Sequence, residues 1–131
     1  MSGVSRVIDW LREAEEDLKS AEVLSKAGQF HHACFHAQQA AEKAVKAALR
    51  FFHVAKAGHA VTVLLEELRA YTTLPEELQD RARILDQYYI PPRYPNSFDV
   101  GAPSQYYTRA SADHAIATAK EVVAYVTKIV S

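Results

Sequence analysis

Cysteine is nearly absent from this sequence. A lone Cys34 excludes an intrachain disulfide and a cysteine zinc cluster, fits a reducing compartment, and reads as a small core residue. An excess of charge of either sign is also missing. Fifteen Lys and Arg stand against 16 Asp and Glu, a formal net charge of -1, so only a local basic patch could draw the chain to nucleic acid. No apolar run approaches the ~20 residues of a membrane span. The N-terminus, MSGVSRVIDWLREAEEDL, turns acidic where a leader peptide would be apolar, so the sequence reads as cytoplasmic, with no membrane partner. Glycine-rich phosphate loops, Ser-His-Asp patterns, internal repeats and low-complexity tracts are absent, and no stretch alternates with the period of two that a strand requires.

What remains is helical. The composition, 49% apolar and 24% charged, is that of a globular protein, and 131 residues suit a single domain spanning 1–131. Phe30 to Phe52 holds no proline or glycine and is long enough for roughly 35 Å of helix. Its Phe30, Ala33, Ala37, Ala40, Ala41, Ala44, Ala48 and Phe52 recur at three- and four-residue steps, a mostly alanine face that lets neighbouring helices approach closely. Gln39, Glu42, Lys43, Lys46 and Arg50 form a polar stripe on the other side, so the segment reads as the central helix of a bundle.

A first amphipathic helix covers Ser5 to Lys26, with Gly28 placed for a left-handed C-cap. Helical spacing resumes at Val61, Leu64, Leu65, Leu68 and Tyr71. Thr73-Leu74-Pro75-Glu76 has the form of a capping box opening a fourth segment through Leu78, Ala82, Leu85 and Tyr88. Between Ile90 and Gln105 four prolines, Gly101 and Asn96 leave no room for a helix. Thr108 is a good N-cap for a last helix carrying Ala112, Ile116, Ala119, Val123, Val126 and Val130. The expected fold is all-α: an up-and-down four-helix bundle with an additional short helix and a Pro/Tyr-rich loop before the last helix.

Three constellations could carry chemistry. The loop and its borders concentrate Tyr88, Tyr89, Arg93, Tyr94, Phe98, Tyr106 and Tyr107, flat rings beside a guanidinium that can stack on bases and pair with phosphate. The plainer reading is that the tyrosines pin the loop to the bundle. Arg109 and His114 form the sole arginine–histidine pair with four to six residues between them. A histidine passing protons and a guanidinium steadying charge on phosphorus are the minimum equipment for metal-independent RNA cleavage. Lys43, Lys46 and Arg50 could meet phosphates, although Glu42 interrupts them and a solvated face is the default. His32 and His36 have metal-clamp spacing, but no further ligand completes a set, so neither a metal nor another cofactor is expected.

These residues resemble the HEPN domain family over nearly the whole chain. The matching stretches are Trp10-Leu11 with Ala14-Glu15-Glu16-Asp17-Leu18, the run from Phe35 to Ala47 with its Gln-Gln-Ala-Ala-Glu-Lys core, the His59 to Leu68 segment, and Arg93-Tyr94-Pro95. The resemblance implies a dimerising bundle of four or five helices with a minimal nucleotidyltransferase as partner, in pairs that look like toxin–antitoxin modules. In the family's ribonuclease branch an arginine and a histidine with this spacing open a late helix and meet their copies across the dimer, as Arg109 and His114 could. Two positions depart from that branch: Ala110 replaces a residue often polar, and Ile116 a tyrosine often found two after the histidine. The expected function is a nucleotide- or RNA-binding homodimer whose cleft comprises Arg93, Tyr94, Tyr106, Tyr107, Lys43 and Lys46. The alternatives are an endoribonuclease toxin using Arg109 and His114, and a purely structural helper subunit. Trp10 and Phe51 are apolar candidates for a dimer face.

Overall fold

The computed structural model describes residues 2–89 and 99–131, and over these it is helical throughout, with no strand. The elements are α1 (Ser2–Lys26), α2 (Phe30–Phe51), α3 (Val61–Leu68), α4 (Glu76–Asp86) and α5 (Arg109–Val130), with a single 3₁₀ turn at Pro103–Gln105. That turn lies inside the stretch expected to be free of helix. It is held by Gln105, whose side-chain oxygen accepts from the Ala102 N–H at 2.7 Å.

The three long helices α1, α2 and α5 pack on one another, α3 lies on α2, and α4 bridges α3 and α5. The expected all-α bundle forms, but α2 is buried over most of its circumference, well beyond the expected alanine stripe, with only a partly exposed strip through His36, Gln39, Lys43, Lys46 and Arg50. Ala33, Cys34, Ala37, Gln38, Ala40, Ala41, Glu42, Ala44, Val45, Ala47, Ala48 and Leu49 are all inside. A helix covered over so much of its surface is the innermost element, and its alanines leave room for four neighbours, α1, α3, α4 and α5.

Chain ends of the helices follow local chemistry in most places. Both α1 and α2 close on paired hydrogen bonds: Gln29 N–H to Leu24 O with Gly28 N–H to Ser25 O, and Val54 N–H to Leu49 O with His53 N–H to Arg50 O. These are Schellman closures. Gly28 supplies the left-handed residue in the first, and His53 takes that conformation (φ 65°) in the second. Thr108 Oγ1 accepts from Ser111 N–H and Ser111 Oγ from Thr108 N–H, a reciprocal cap on α5.

The cap expected from Thr73 does not form. Pro75 occupies the N-cap position, so Thr73 lies two residues outside the helix, and the turn is held instead by Arg69, which donates to the carbonyls of Leu74 (2.8 Å) and Pro75 (2.9 Å). α3 has no side-chain cap of its own either. Asp86, at the end of α4, reaches across to accept from the Val61 and Thr62 N–H groups at 2.7 and 2.9 Å and from the Thr62 hydroxyl. The carboxylate thereby satisfies donors that a helix start leaves orphaned, and it fixes where α3 begins.

Candidate functional site

The polar stripe of α2 is only partly solvated, and Glu42 within it is buried. Glu42 is 4% exposed, and its carboxylate accepts from Lys46 Nζ at 3.0 Å, from Gln39 Nε2 at 3.2 Å and from His59 Nδ1 at 3.3 Å to each oxygen. Gln38, fully buried, donates to the His59 carbonyl at 2.7 Å and accepts from Gln39 at 2.8 Å. The buried Glu42 carboxylate and Gln38 amide in this knot both have partners, as burial demands. His59 reaches it because Gly58, in a left-handed turn (φ 110°), precedes it and Asp86 anchors α3 immediately after it. The His59 ring stacks on Tyr89 with centroids 4.6 Å apart and planes 15° from parallel, and Tyr89 also lies 6.0 Å from Phe35.

Toward α1 the stripe continues in a second set of pairs. Lys43 Nζ lies 2.7 Å from Asp17 Oδ2 and His36 Nδ1 3.5 Å from Asp17 Oδ1. Burial pushes the Asp17 carboxyl up, but hydrogen bonds to His36 and Lys43 and the charge of both outweigh it and hold the group below its ordinary value. Lys46 and Arg50 both lie over the Trp10 ring, each 5.6 Å from its centroid, so Trp10 is half-covered by cations while Phe51 is left exposed.

The N-terminal half of α2 is also where the expected tyrosines and Arg109 arrive. Tyr107 meets Tyr88 edge-on at 5.6 Å, both beside buried Cys34. Burial, then the neighbouring Cys34 and Tyr88, push the Tyr107 phenol up to about 12, and burial pushes the Cys34 thiol up to about 12. Tyr106 is exposed, its hydroxyl donating to the Val100 carbonyl. Arg109 opens α5 with its guanidinium 5.1 Å from the Phe30 ring centroid. It borders a cavity of about 350 Å³ lined also by Glu22, Ser25, Lys26, Asp113 and Lys120. His114 is exposed one and a half turns on, about 140° around the helix from Arg109. One copy of the chain does not bring that pair to a common point.

Of the expected binding residues, then, Lys43 and Lys46 are already ion-paired, Tyr107 is half-buried and Tyr106 is exposed. Arg93 and Tyr94 lie outside the described residues, four and five positions after Tyr89 in sequence. Gln38, His59 and Asp86 were not singled out as site residues, and Tyr89 was named only among the rings bordering the loop. The signal available for His59 was a lone histidine between a glycine and the first apolar position of a helix. No helix among the described residues is long and apolar enough to cross a membrane, and no three potential metal ligands cluster there.

A family model described as "HEPN domain" matches residues 7–129. Among solved structures, the chain is similar to TT1696 from Thermus thermophilus, at 37% identity over 95% of this chain and 98% of that one, with a TM-score of 0.92. It is also similar to ST0689, described as an archaeal HEPN homologue, at 38% identity, the same coverage and a TM-score of 0.80. A curated relative from Methanocaldococcus jannaschii, named "Putative toxin MJ1304", is 28% identical over 123 residues, which is 87% of this chain and 81% of the relative.

Proposed function

The chain belongs to the HEPN domain family, and we propose that it is a nucleotide- or RNA-binding protein. It acts as one helical domain and a homodimer, paired with a minimal nucleotidyltransferase in a toxin–antitoxin-like module. The observation that carries this reading is the knot around Glu42. Buried ion pairs stabilise a fold less than apolar packing of the same volume would. A carboxylate, an ammonium, two amides and an imidazole gathered under an exposed ring stack therefore make better sense as support for a ligand. Tyr89, part of that stack, leads directly into the segment carrying Arg93 and Tyr94.

In this reading Arg93 and Tyr94 supply a guanidinium and a ring to the ligand, Tyr106 and Tyr107 border the cleft, and Lys43 and Lys46 lend positive charge from within their pairs. The toxin name of the archaeal relative supports the pairing with an antidote protein. Titration of mononucleotides and of a single-stranded oligoribonucleotide into the wild type and Arg93→Ala tests the cleft. We expect at least a tenfold weaker complex for the variant. Undiminished affinity would leave a structural helper subunit as the better reading.

A second reading, a metal-independent endoribonuclease toxin, is favoured by His114 itself. Its ring is exposed and makes no hydrogen bond or ion pair among the described residues, five residues on from the exposed Arg109 at the start of α5. Since a single copy leaves the two residues on different sides of the helix, the catalytic set would need a second copy. Incubation with a mixed cellular RNA pool in EDTA decides it. Cleavage lost in His114→Ala supports the ribonuclease, and no cleavage by the wild type removes it.

A further inference from the structure

We infer that His59 is the phosphate-recognising group of this site, its Nε2 taking the phosphate of a nucleotide or of single-stranded RNA. The inference rests on the nucleotide-binding reading above and names a residue and a ligand group that it leaves open.

The imidazole is divided between inside and outside. Its Nδ1 faces both oxygens of a carboxylate whose side chain is 5% exposed, while the His59 side chain as a whole is 57% exposed. Ring geometry puts Nε2 on the side away from Glu42. Among the described residues nothing bonds to it. With Nδ1–H donated to Glu42, Nε2 is the nitrogen left for a ligand, and it meets a phosphate oxygen as an N–H donor.

The ring is also held far more firmly than a surface histidine needs. Tyr89 fixes its plane, Gln38 takes its carbonyl at 2.7 Å, and Asp86 pins Val61 and Thr62 two and three residues on. A histidine serving only the core would bury or pair its second nitrogen. One serving only solubility would not be fixed from α2 and from the end of α4 with the turn after it.

The charge around Nε2 selects the ligand. Lys46 Nζ shares a Glu42 oxygen with His59, so an ammonium stands beside the ring and a cationic ligand is disfavoured. An anion with several acceptor oxygens fits, and the flat His59–Tyr89 stack suits one that carries a base. A phosphate on a nucleotide has both features.

The test compares AMP, adenosine and a single-stranded decaribonucleotide by calorimetric titration into the wild type and His59→Asn. The substituted amide can still donate to Glu42 but has nothing at the Nε2 position. We expect AMP or the oligonucleotide to bind about tenfold more weakly to the variant, the loss of one hydrogen bond to a charged group, with adenosine unchanged. Loss for AMP alone assigns a free nucleotide as the source of the phosphate, and loss for the oligonucleotide assigns RNA. Nitrogen NMR of the labelled wild type provides an independent readout, in which the His59 Nε2 resonance moves with AMP and not with adenosine. Wild-type binding that His59→Asn leaves intact overturns the role of His59 while the nucleotide-binding reading stands. No binding of any of the three by the wild type overturns both.

Discussion

Removing the Glu42 carboxylate should destabilise this protein far more than removing an ordinary surface charge. The Glu42 and Lys46 side chains are 5% and 11% exposed, and their N–O separation is 3.0 Å. Glu42→Ala leaves a nearly buried ammonium without its counter-charge, a change that costs about 3–5 kcal/mol. It also deprives Gln39 and His59 of an acceptor. The Trp10 ring, 5.6 Å from Lys46 Nζ, faces the ammonium in both proteins, so the difference stays at about 3–5 kcal/mol. For a chain of this length that corresponds to a fall in Tm of roughly 10–18 °C. Glu42→Met combined with Lys46→Met removes both charges together and should fall within about 1 kcal/mol of the wild type or exceed it. Circular dichroism melts and urea titrations measure both variants. A loss under about 1 kcal/mol for Glu42→Ala, the value for an exposed pair, would refute the argument that this knot is buried. A double variant as unstable as the single one would refute the argument that the unpaired charge is the cause.

Asp17→Asn should lower stability at neutral pH and lose that effect in acid. The folded carboxyl lies below its ordinary 3.8, so its contribution is complete above that value and disappears as pH falls through the lower folded one. Melting curves of the two proteins should converge below about pH 3.8. Asp86→Ala strips the Val61 and Thr62 N–H groups of their acceptor, costing about 2–3 kcal/mol. It should also speed hydrogen exchange at the start of α3, and protection equal to the wild type would count against the cross-helix cap. Cys34, wholly buried and with its thiol raised to about 12, should resist iodoacetamide at pH 8 until the chain unfolds. Alkylation at the rate of a free thiol in the native protein would contradict its placement beside Tyr88 and Tyr107.

The elements of this fold were legible because their determinants are local. Three- and four-residue apolar spacing identified each of α1 to α5, Gly28 marked the end of α1, and Thr108 the start of α5. Where a neighbouring helix supplied the partner, the local reading failed. Thr73 and Glu76 have the spacing of a cap, but Arg69 and the extended Pro75 settle that turn. The loop tyrosines were visible as a group, yet nothing in their spacing tells Tyr107, packed on Tyr88, from Tyr106, exposed to solvent.

The candidate site shows the same division more sharply. By itself the sequence determined an all-α chain with a central alanine-rich helix and a polar stripe along it, because helical periodicity is a property of residues three and four apart. Only the tertiary structure decided what that stripe does. Glu42 meets His59 17 residues away, Gln38 meets the same residue's backbone across 21, and Asp86 caps a helix that begins 25 residues before it. Such pairings depend on how four helices surround a fifth. The burial that turns a solvated stripe into a neutralised, hydrogen-bonded knot belongs to the packed molecule, since a charge left without a partner there is too costly to keep.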